Sequence, residues 1–327
     1  MKDLFFTQAV AAAISEEMER DQNVFMLGED IGLYGGAFGA SRGLFAKFGS
    51  TRIVDSPISE HSIVGLGIGA ALTGLRPIIE IMYMDFITLA FDQIMNKAIK
   101  ISYLSQGSHS VPIVIRTAAG GGRYYGPDHS HSLEGLFIHL PGLKIAVPST
   151  PYDAKGMLKA AIRSNDPVLF IEYKMLYELR GNVSEDPNHV VPLGQAKLVK
   201  EGEDLTIVTF GRMVNITIEA IEQLEREESI SIELVDLRTL APLDINTITS
   251  SVQKTGHLVV VEEGCLTGGV GGEISAKVME TSFYSLDAPI VRVAARNIPI
   301  PFSPHLEDHV LPSTEKIKKS VLASLKS

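Results

Sequence analysis

The sequence of 327 residues contains a single cysteine, Cys265. One cysteine excludes an internal disulfide and any metal site built from several cysteines. Long apolar segments are also absent, because the longest uncharged apolar run, residues 62–75, is shorter than the roughly 20 residues that a membrane-spanning helix needs. We therefore predict a globular protein without a membrane partner.

Positive charge is scarce as well. The 29 Lys and Arg residues face 39 Asp and Glu residues, which gives a formal net charge of -10, and no basic block occurs. This balance argues against nucleic acid or an anionic membrane surface as the main partner. The first residues lack a long apolar core, and Glu16, Glu17 and Glu19 are atypical of a transit peptide. We expect a cytoplasmic protein, or a mitochondrial matrix protein if the sequence is a processed form.

The order of predicted elements indicates the fold class. Hydrophobic residues make up 45% of a chain long enough for two domains. Strands alternate with helices, which predicts an α/β fold with two doubly wound, mostly parallel sheets. Regular periodicity disappears between residues 179 and 193. We place the boundary there, with a first domain at 1–185, a linker at 186–200 and a second domain at 201–327.

The individual elements follow from hydrophobic periodicity and from cap and turn residues. The predicted helices are residues 7–20, 62–75, 91–104, 152–163, 215–228, 244–254, 272–283 and 314–326. The predicted strands are residues 24–27, 52–55, 77–84, 111–116, 143–148, 168–173, 205–210, 231–237, 257–261 and 290–293.

Glu60 lies where the strand at 52–55 leads into the glycine-spaced helix at 62–75. One interpretation is a helix start, with Ser59 as N-cap and Glu60 in the first turn. The following strand, however, brings Met82 and Phe86 as apolar candidates for the same pocket. A glutamate among apolar groups can exchange protons near neutral pH. Glu60 is therefore the first candidate for a catalytic group.

A competing hypothesis is a nicotinamide-dependent oxidoreductase. Residues 65–70, GLGIGA, fit the dinucleotide fingerprint, with Glu80 as its ribose-binding acid. That fingerprint needs its first glycine at a strand-to-helix turn, whereas these glycines lie inside the predicted helix. Gly65 and Gly69 are one turn apart, and close packing of the helix against a neighbouring backbone is the simpler explanation.

A second glycine-rich loop, residues 120–131, directly follows a buried strand and ends in His129-Ser130-His131. Long loops in such positions are more often functional than idle. His129 is a candidate acid or hydrogen-bond donor in a cleft, although a lone loop histidine can equally be solvated. No carboxylate or cysteine spacing supports a metal site at His129, His131 and His139. Cys265 is interpreted as a buried or inert thiol.

Seven motifs occur together and in order: PISE at 57–60, GLRPI at 74–78, FDQ at 91–93, DHS at 128–130, PGLK at 141–144, PSTPYDAKG at 148–156 and DLRTLAPLD at 236–244. With these motifs the chain resembles the beta subunit of the thiamin-diphosphate-dependent decarboxylase component of 2-oxo acid dehydrogenase complexes. That family includes pyruvate, branched-chain 2-oxo acid and acetoin dehydrogenases. The resemblance covers nearly the whole chain.

The resemblance implies a pyrimidine-binding domain followed by a transketolase-like C-terminal domain. It also implies that thiamin diphosphate is shared with an alpha subunit, which holds the diphosphate and magnesium. The Gly-Asp-Gly motif of that half-site is absent from this sequence. We expect an alpha2beta2 heterotetramer with beta-beta contact through the second domain and residues 62–75 at a subunit interface. Two loops, 32–43 and 120–131, should become ordered only when partner and cofactor bind.

The further partners implied are a dihydrolipoyl acyltransferase core and a small 2-oxo acid or acetoin. Residues 120–128 and 266–269 are somewhat like those of branched-chain enzymes, whereas residues 301–308 look more like those of acetoin enzymes. Pyruvate, branched-chain 2-oxo acids and acetoin all stay open as substrates. A subunit of a different class, a non-catalytic scaffold that docks the acyltransferase core, is the remaining alternative.

The resemblance also assigns roles to single residues. Glu60 matches the glutamate that hydrogen-bonds the aminopyrimidine ring, and His129 matches a histidine that donates a proton or hydrogen bond during acyl transfer to lipoamide. The apolar wall around the pyrimidine corresponds to Ile58, Met82 and Phe86. Family members bind a structural potassium ion at the positions that correspond to Ile113, Ala161, Ser164 and Asp166. Ser164 stands where the family pattern leads us to expect aspartate.

Overall fold

The computed structural model describes residues 1–326, which form two compact units. The first unit consists of residues 1–119 and 137–193, and the second consists of residues 120–136 together with the chain from Gly194 onward. The prediction of an α/β fold with two mostly parallel sheets is confirmed. The loop at 120–131 belongs to the second unit, although chain order alone would assign it to the first.

Six parallel strands form the main sheet of the first unit, in the order β6-β7-β5-β4-β2-β3, and β1 pairs with β8 as a separate antiparallel ribbon. The strands are β1 (Lys2–Phe5), β2 (Val24–Gly28), β3 (Ile53–Asp55), β4 (Arg76–Ile81), β5 (Val114–Ala119), β6 (Lys144–Ala146), β7 (Val168–Tyr173) and β8 (Arg180–Val183). The helices of this unit are α1 (Phe6–Arg20), α2 (Leu44–Phe48), α3 (Glu60–Leu72), α4 (Ile101–Leu104) and α6 (Pro151–Arg163). The short helix α5 (Glu134–Phe137) begins in residues 120–136 of the second unit and ends at the first residue of the segment 137–193.

Burial explains the composition of this sheet. Every residue of β2, β5 and β7 is buried, as expected for parallel strands that are covered on both faces. Helix α1 buries Val10, Ile14 and Met18 and packs against α6, whereas Ala11, which the periodicity also predicts on this face, is only half-buried. Thr150 caps α6 by accepting a hydrogen bond from the Asp153 amide.

The segment predicted as one helix at 91–104 is irregular instead. A 3-10 helix (Met84–Ala90) and a π-helix (Gln93–Ala98) precede the short α4. The side chains of Asp92, Asn96 and Lys100 continue the helical spacing through the π turn, because Asn96 donates to Asp92 over 2.6 Å and Lys100 donates to Asn96 over 2.8 Å. The predicted strand at 77–84 accordingly ends at Ile81, before the 3-10 helix begins.

The sheet of the second unit has five strands in the order β14-β13-β10-β11-β9, all parallel except the antiparallel edge strand β9. The strands of this unit are β9 (Lys197–Lys200), β10 (Leu205–Thr209), β11 (Ile232–Asp236), a short β12 (Thr239–Ala241), β13 (Leu258–Cys265) and β14 (Val291–Ala295). Its helices are α7 (Arg212–Glu228), α8 (Ile245–Thr255), α9 (Val270–Ser282), α10 (Pro304–Val310) and α11 (Thr314–Ser324).

The core of the second unit lies where α7 and α11 cover the sheet around Ile207, Leu234 and Val259, all fully buried. The four parallel strands and the four longer helices had been predicted, whereas β9, β12 and α10 had not. Across the described residues 1–326, no helix combines the length and hydropathy that crossing a membrane requires.

Candidate active site

Three neighbouring strands of the first unit end at one edge of its sheet. Gly28 at the end of β2 is in register with Asp55 of β3 and Glu80 of β4, so the segments that follow these strands start side by side. Glu29 follows β2, Ile58 and Glu60 follow β3, and Met82 follows β4. In open parallel sheets, ligands bind at the carboxyl ends of the strands. The predicted pyrimidine residues therefore lie at the edge where such a ligand would be expected.

Glu60 is the first residue of α3, and only 6% of its surface is exposed. Within residues 1–326 no group donates a hydrogen bond to its carboxylate or forms an ion pair with it. The two oxygens of this carboxylate are not among the buried side-chain atoms that lack a partner, so they are accessible and their acceptor capacity is unused by the described residues. Ser59 is at the N-cap position, but its hydroxyl donates to the Pro57 carbonyl over 3.0 Å instead of capping the helix as predicted.

Glu29 is a residue of this site that the sequence analysis missed. Burial raises the pKa of the Glu29 carboxyl, and the negative charges of Glu60 and Asp30 raise it further, against a hydrogen bond from the Ser59 backbone that lowers it. Glu29 is thus close enough to Glu60 for their charges to repel. Its position directly after the buried strand β2 is a signal that could have identified it, because Glu60 was selected on the same ground.

The apolar residues of the edge differ in exposure. Met82 and Phe86 are half-buried, whereas 81% of the Ile58 surface is exposed. The Phe86 ring meets Tyr83 edge-on at a centroid distance of 6.1 Å, and Tyr83 in turn meets Phe38 of the 32–43 loop at 5.5 Å. The 3-10 helix that carries Phe86 packs against α3, which carries Glu60. A flat, apolar ring could contact these side chains while Glu60 binds its polar edge.

A buried ionic group lies next to Met82 in the same unit. The Arg116 guanidinium donates to Glu80 over 2.6 Å and to both oxygens of Glu172 over 2.7 and 2.9 Å, and Tyr177 also donates to Glu172. Burial opposes the charge of Arg116, but the two carboxylates outweigh it and hold the pKa of Arg116 above its usual value. This group ties β4, β5 and β7 together. It also binds the Glu80 carboxylate, which a ribose-binding role would need free.

The glycines of α3 have three different environments. A Cβ on Gly67 would lie 2.7 Å from Ile79 Cδ1 and 3.0 Å from Ile113 Cδ1, so this glycine allows α3 to pack closely on the sheet. A Cβ on Gly65 would contact Gln93 at 3.4 Å, and one on Gly69 would meet nothing within 4 Å. Close packing was predicted at Gly65 and Gly69 against backbone, and the structure places it at Gly67 against side chains. All three lie within the helix, not at the turn that a dinucleotide fingerprint requires.

His129 is half-buried in the second unit, on the loop 120–131. Glycines at positive φ shape this loop, at Gly120 (87°), Gly122 (91°) and Gly126 (76°), and Tyr124 adopts φ 60°. The Gly120 amide donates to the His131 carbonyl over 3.0 Å and closes the loop at its base. His129 and Glu60 therefore belong to different units of the chain.

The four residues predicted for potassium lie around the turn after α6. The Ala161 carbonyl accepts from the Ser164 amide over 3.1 Å, the Ser164 hydroxyl accepts from the Asp166 amide over 3.2 Å, and the Ile113 carbonyl accepts from Val168 over 2.9 Å. Two cationic side chains reach the same turn, since Arg76 donates to the Ser164 carbonyl and Lys144 pairs with the Asp166 carboxylate. Each carbonyl keeps a second lone pair that could bind a cation.

Comparison with known proteins places both units in recognised families. The family "Transketolase, pyrimidine binding domain" matches residues 2–180, and "Transketolase, C-terminal domain" matches residues 194–317. The chain is 44% identical to a 2-oxoisovalerate dehydrogenase subunit beta of Bacillus subtilis, with 98% of each chain covered. It is 44% identical to a pyruvate dehydrogenase E1 component subunit beta of Gracilaria tenuistipitata, with 98% of this chain and 99% of the relative covered.

A third relative has a different name. It is the acetoin:2,6-dichlorophenolindophenol oxidoreductase subunit beta of Cupriavidus necator, 45% identical, with 97% of this chain and 96% of the relative covered. Among solved structures, a chain titled "Split gene transketolase, inactive beta4 tetramer" superposes with a TM-score of 0.78 at 24% identity, with 98% of both chains covered. That likeness shows that the fold is transketolase-like.

Proposed function

This chain belongs to the family of beta subunits of thiamin-diphosphate-dependent 2-oxo acid and acetoin dehydrogenases, and we propose that it completes the active site of such an enzyme together with an alpha subunit. The reaction is oxidative decarboxylation of a 2-oxo acid, or the related cleavage of acetoin, with transfer of the acyl group to lipoamide. The observation that carries the proposal is the Glu60 carboxylate at the edge of a parallel sheet, to which no residue of the described range 1–326 donates a hydrogen bond.

The residues at this edge fit the pyrimidine ring of thiamin diphosphate. Glu60 offers an unused acceptor to a ring nitrogen, and Ile58, Met82 and Phe86 offer apolar surface to the ring faces. When bound, this cofactor supplies a nucleophilic thiazolium carbon and an electron sink for decarboxylation. Glu60 holds a proton between its carboxylate and the ring nitrogen. The carboxyl of Glu29 has a raised pKa. Glu29 therefore carries negative charge beside Glu60 less readily than an ordinary glutamate does.

His129 is proposed as the group that donates a hydrogen bond or proton while the acyl group passes to lipoamide. An imidazole suits this role because it changes charge near neutral pH. The lipoamide belongs to a dihydrolipoyl acyltransferase core, with which relatives of this family form multienzyme complexes. The proposal assigns binding and activation of the cofactor to the first unit and acyl transfer to the second.

We infer assembly with an alpha subunit because this chain offers residues for the pyrimidine ring but has no Gly-Asp-Gly motif for the diphosphate. We assign the diphosphate and its magnesium ion to the alpha subunit of an alpha2beta2 heterotetramer. A Cβ on Gly69 of α3 would meet no atom within 4 Å. This glycine would therefore face a neighbouring subunit. The complex is proposed to act in the cytoplasm, or in the mitochondrial matrix if the sequence is a processed form.

A structural potassium ion is proposed at the turn after α6. Its ligands would be oxygens of Ile113, Ala161, Ser164 and Asp166, which hydrogen bonds already gather around this turn. Binding to the folded state alone raises stability by mass action. We expect a higher Tm in potassium chloride than in sodium chloride at equal ionic strength. Equal melting temperatures would remove the ion from the proposal and leave Arg76 and Lys144 as the cations of this turn.

The first experiment is a comparison of cofactor binding. Thiamin diphosphate with magnesium is titrated by calorimetry into this chain alone and into the chain co-purified with its alpha subunit. The shared-site proposal expects tight binding only by the mixture, because a lone half-site contributes the pyrimidine contacts but no ligand for the charged diphosphate. Equal affinity of the lone chain and the mixture would contradict it.

The second experiment identifies the substrate. The assembled enzyme is assayed with pyruvate, a branched-chain 2-oxo acid and acetoin, with a dye as electron acceptor. The relatives at 44 to 45% identity carry three different substrate names, so this panel is the smallest that separates them. A turnover ratio of tenfold or more between substrates would assign the enzyme to one of the three activities.

A further inference from the structure

The loop that carries His129 is held by two buried carboxylates of its own unit. The Gly121 amide donates to Glu263 over 2.6 Å, and the Gly122 amide donates to Glu307 over 2.5 Å. Both glutamates are buried, with at most 2% of their surface exposed. Hydrogen bonds from amides to carboxylates are charge-assisted and stronger than neutral ones. Two consecutive amides at the base of the loop are therefore fixed by residues far away in the sequence.

These contacts lie at the carboxyl edge of the second sheet. Glu263 is near the end of β13, and Arg212 starts α7 just after β10, the neighbouring strand. In the strand order, β11 lies on one side of the neighbouring pair β10 and β13, and β14 lies on the other side. The chain therefore continues from β10 and from β13 in opposite directions, which makes the edge between these two strands a topological switch point. Such points are where α/β proteins bind ligands. Here Arg212 contacts the Gly121 carbonyl over 3.3 Å and Glu263 over 3.4 Å, so the chain's own loop takes the ligand's place.

Two glycines of this loop cannot be replaced without displacing their neighbours. A Cβ on Gly121 would lie 2.6 Å from Glu307 Oε1 and 2.8 Å from Leu311 Cδ1, and a Cβ on Gly126 would collide with the Phe302 ring. The segment around α10 thus fits against the loop at two places.

We propose that Glu263 and Glu307 are positioning residues for His129: by binding the Gly121 and Gly122 amides, they set the loop geometry in which His129 serves acyl transfer. The inference rests on the proposed role of His129. A displacement of a catalytic group by about 1 Å can cost about a hundredfold in rate. Loss of either carboxylate should therefore slow the step that uses His129 and leave cofactor binding, which the first unit provides, unchanged.

The test uses the assembled enzyme with alpha subunit, magnesium and cofactor. Glu307→Met and Glu263→Met remove the acceptors. Glu307→Gln is the conservative rescue, because its amide oxygen can still accept from Gly122 and the second oxygen of Glu307 has no partner among the described residues. Glu233→Met is the matched control, since Glu233 is equally buried in the same unit and likewise binds a glycine amide, that of Gly202, and a cation, Lys254.

Three quantities are measured on each variant: acyl transfer to a lipoyl domain, substrate-dependent dye reduction, and hydrogen exchange of residues 120–131. We expect both acceptor-removing variants to lose about 10- to 100-fold in acyl transfer, while dye reduction changes less than about threefold and loop exchange accelerates. Glu307→Gln should be close to wild type. Glu233→Met should lower Tm without changing the ratio of transfer to dye reduction.

The proposal is overturned if Glu263→Met and Glu307→Met keep acyl transfer within about twofold of wild type. It is also overturned if Glu233→Met lowers the ratio of acyl transfer to dye reduction as much as these two variants do. A failure of the proposed function looks different. In that case the wild-type assembly shows no turnover on any substrate of the panel, and hydrogen exchange alone decides whether the two carboxylates hold the loop. Unchanged exchange in both variants would then overturn the inference.

Discussion

The two parallel sheets of this chain use their carboxyl edges in opposite ways. At the edge of the first sheet, Glu60 has 6% of its surface exposed and receives no hydrogen bond from the described residues. At the edge of the second sheet, Glu263 and Glu307 are at most 2% exposed, and they bind the Gly121 and Gly122 amides of the chain's own loop. The second oxygen of Glu307 has no partner among the described residues. A glutamate near a sheet edge is thus open to a ligand in the first unit and bound by a loop in the second.

This difference shows what turns a sheet edge into a binding site. Burial alone does not, because all three glutamates are buried. The deciding feature is whether loops of the same chain supply donors, since a carboxylate that accepts nothing from its own chain can accept hydrogen bonds from a ligand. The first edge therefore suits a cofactor ring, and the second edge suits a loop that must be held in one position.

The largest effect is expected from Glu60→Gln in the assembled enzyme. This variant keeps the size of the side chain and one acceptor but cannot hold the proton, so turnover should fall on the order of a hundredfold or more. Folding should be unaffected, as judged by Tm. The measurement is dye-linked turnover with saturating cofactor.

The control for this prediction is Glu233→Gln, at a buried carboxylate of the second unit that Lys254 and an amide already satisfy. It should keep near-normal turnover per folded molecule. If Glu60→Gln also retains normal turnover with the alpha subunit present, the first edge is not catalytic. The scaffold alternative, in which the chain only docks an acyltransferase core, would then be favoured.

A smaller effect should separate the glycines of α3. Gly67→Ala must displace the Ile79 and Ile113 side chains, and such overpacking costs about 1–3 kcal/mol of unfolding free energy. Gly69→Ala meets nothing within 4 Å and should stabilise the lone chain by about 0.5–1 kcal/mol through helix propensity. Denaturant unfolding of the lone chain measures both.

The same pair also tests the proposed subunit contact. If α3 meets a neighbouring subunit at Gly69, the alanine there should weaken assembly with the alpha subunit although it stabilises the lone chain. Sedimentation of the mixture reports this. Assembly as tight as in wild type would place the contact elsewhere on the chain.

The smallest effect concerns the repulsion between Glu29 and Glu60. Burial and the Glu60 charge raise the pKa of Glu29 in the folded chain, so ionising Glu29 lowers the stability of the fold. This loss of stability is absent below the ordinary pKa of glutamate and is complete above the raised pKa of Glu29. Glu29→Gln removes the penalty. Its Tm should therefore equal that of wild type at acidic pH and exceed it as the pH rises to neutral.

Glu185→Gln is the control of opposite sign for the pH series. A hydrogen bond and the charge of the N-terminal amine lower the pKa of Glu185, so its ionised form stabilises the fold above its ordinary pKa. Removing it should lower Tm slightly at neutral pH and leave Tm unchanged at acidic pH. A Glu29→Gln curve parallel to wild type at every pH would show that Glu29 and Glu60 do not interact.

The sequence by itself determined the fold class, the family and the candidate glutamate. Alternating strands and helices specify a parallel sheet, because a parallel strand pair needs a crossover between its strands. Glu60 was identifiable because it follows a strand and starts a helix. Local chemistry likewise placed the strand at 168–173, whose boundaries depend only on neighbouring residues.

Tertiary structure alone decided what each buried group contacts. The sequence cannot show that Arg116 binds both Glu80 and Glu172, because these residues come from three strands that are adjacent only in the sheet. It also cannot show that Gly67 rather than Gly65 or Gly69 is the tightly packed glycine, since that depends on the rotation of α3. The same holds for residues 120–136, which belong to the second unit and bind its Glu263 and Glu307, because side-chain contacts over such separations follow from packing and not from local periodicity.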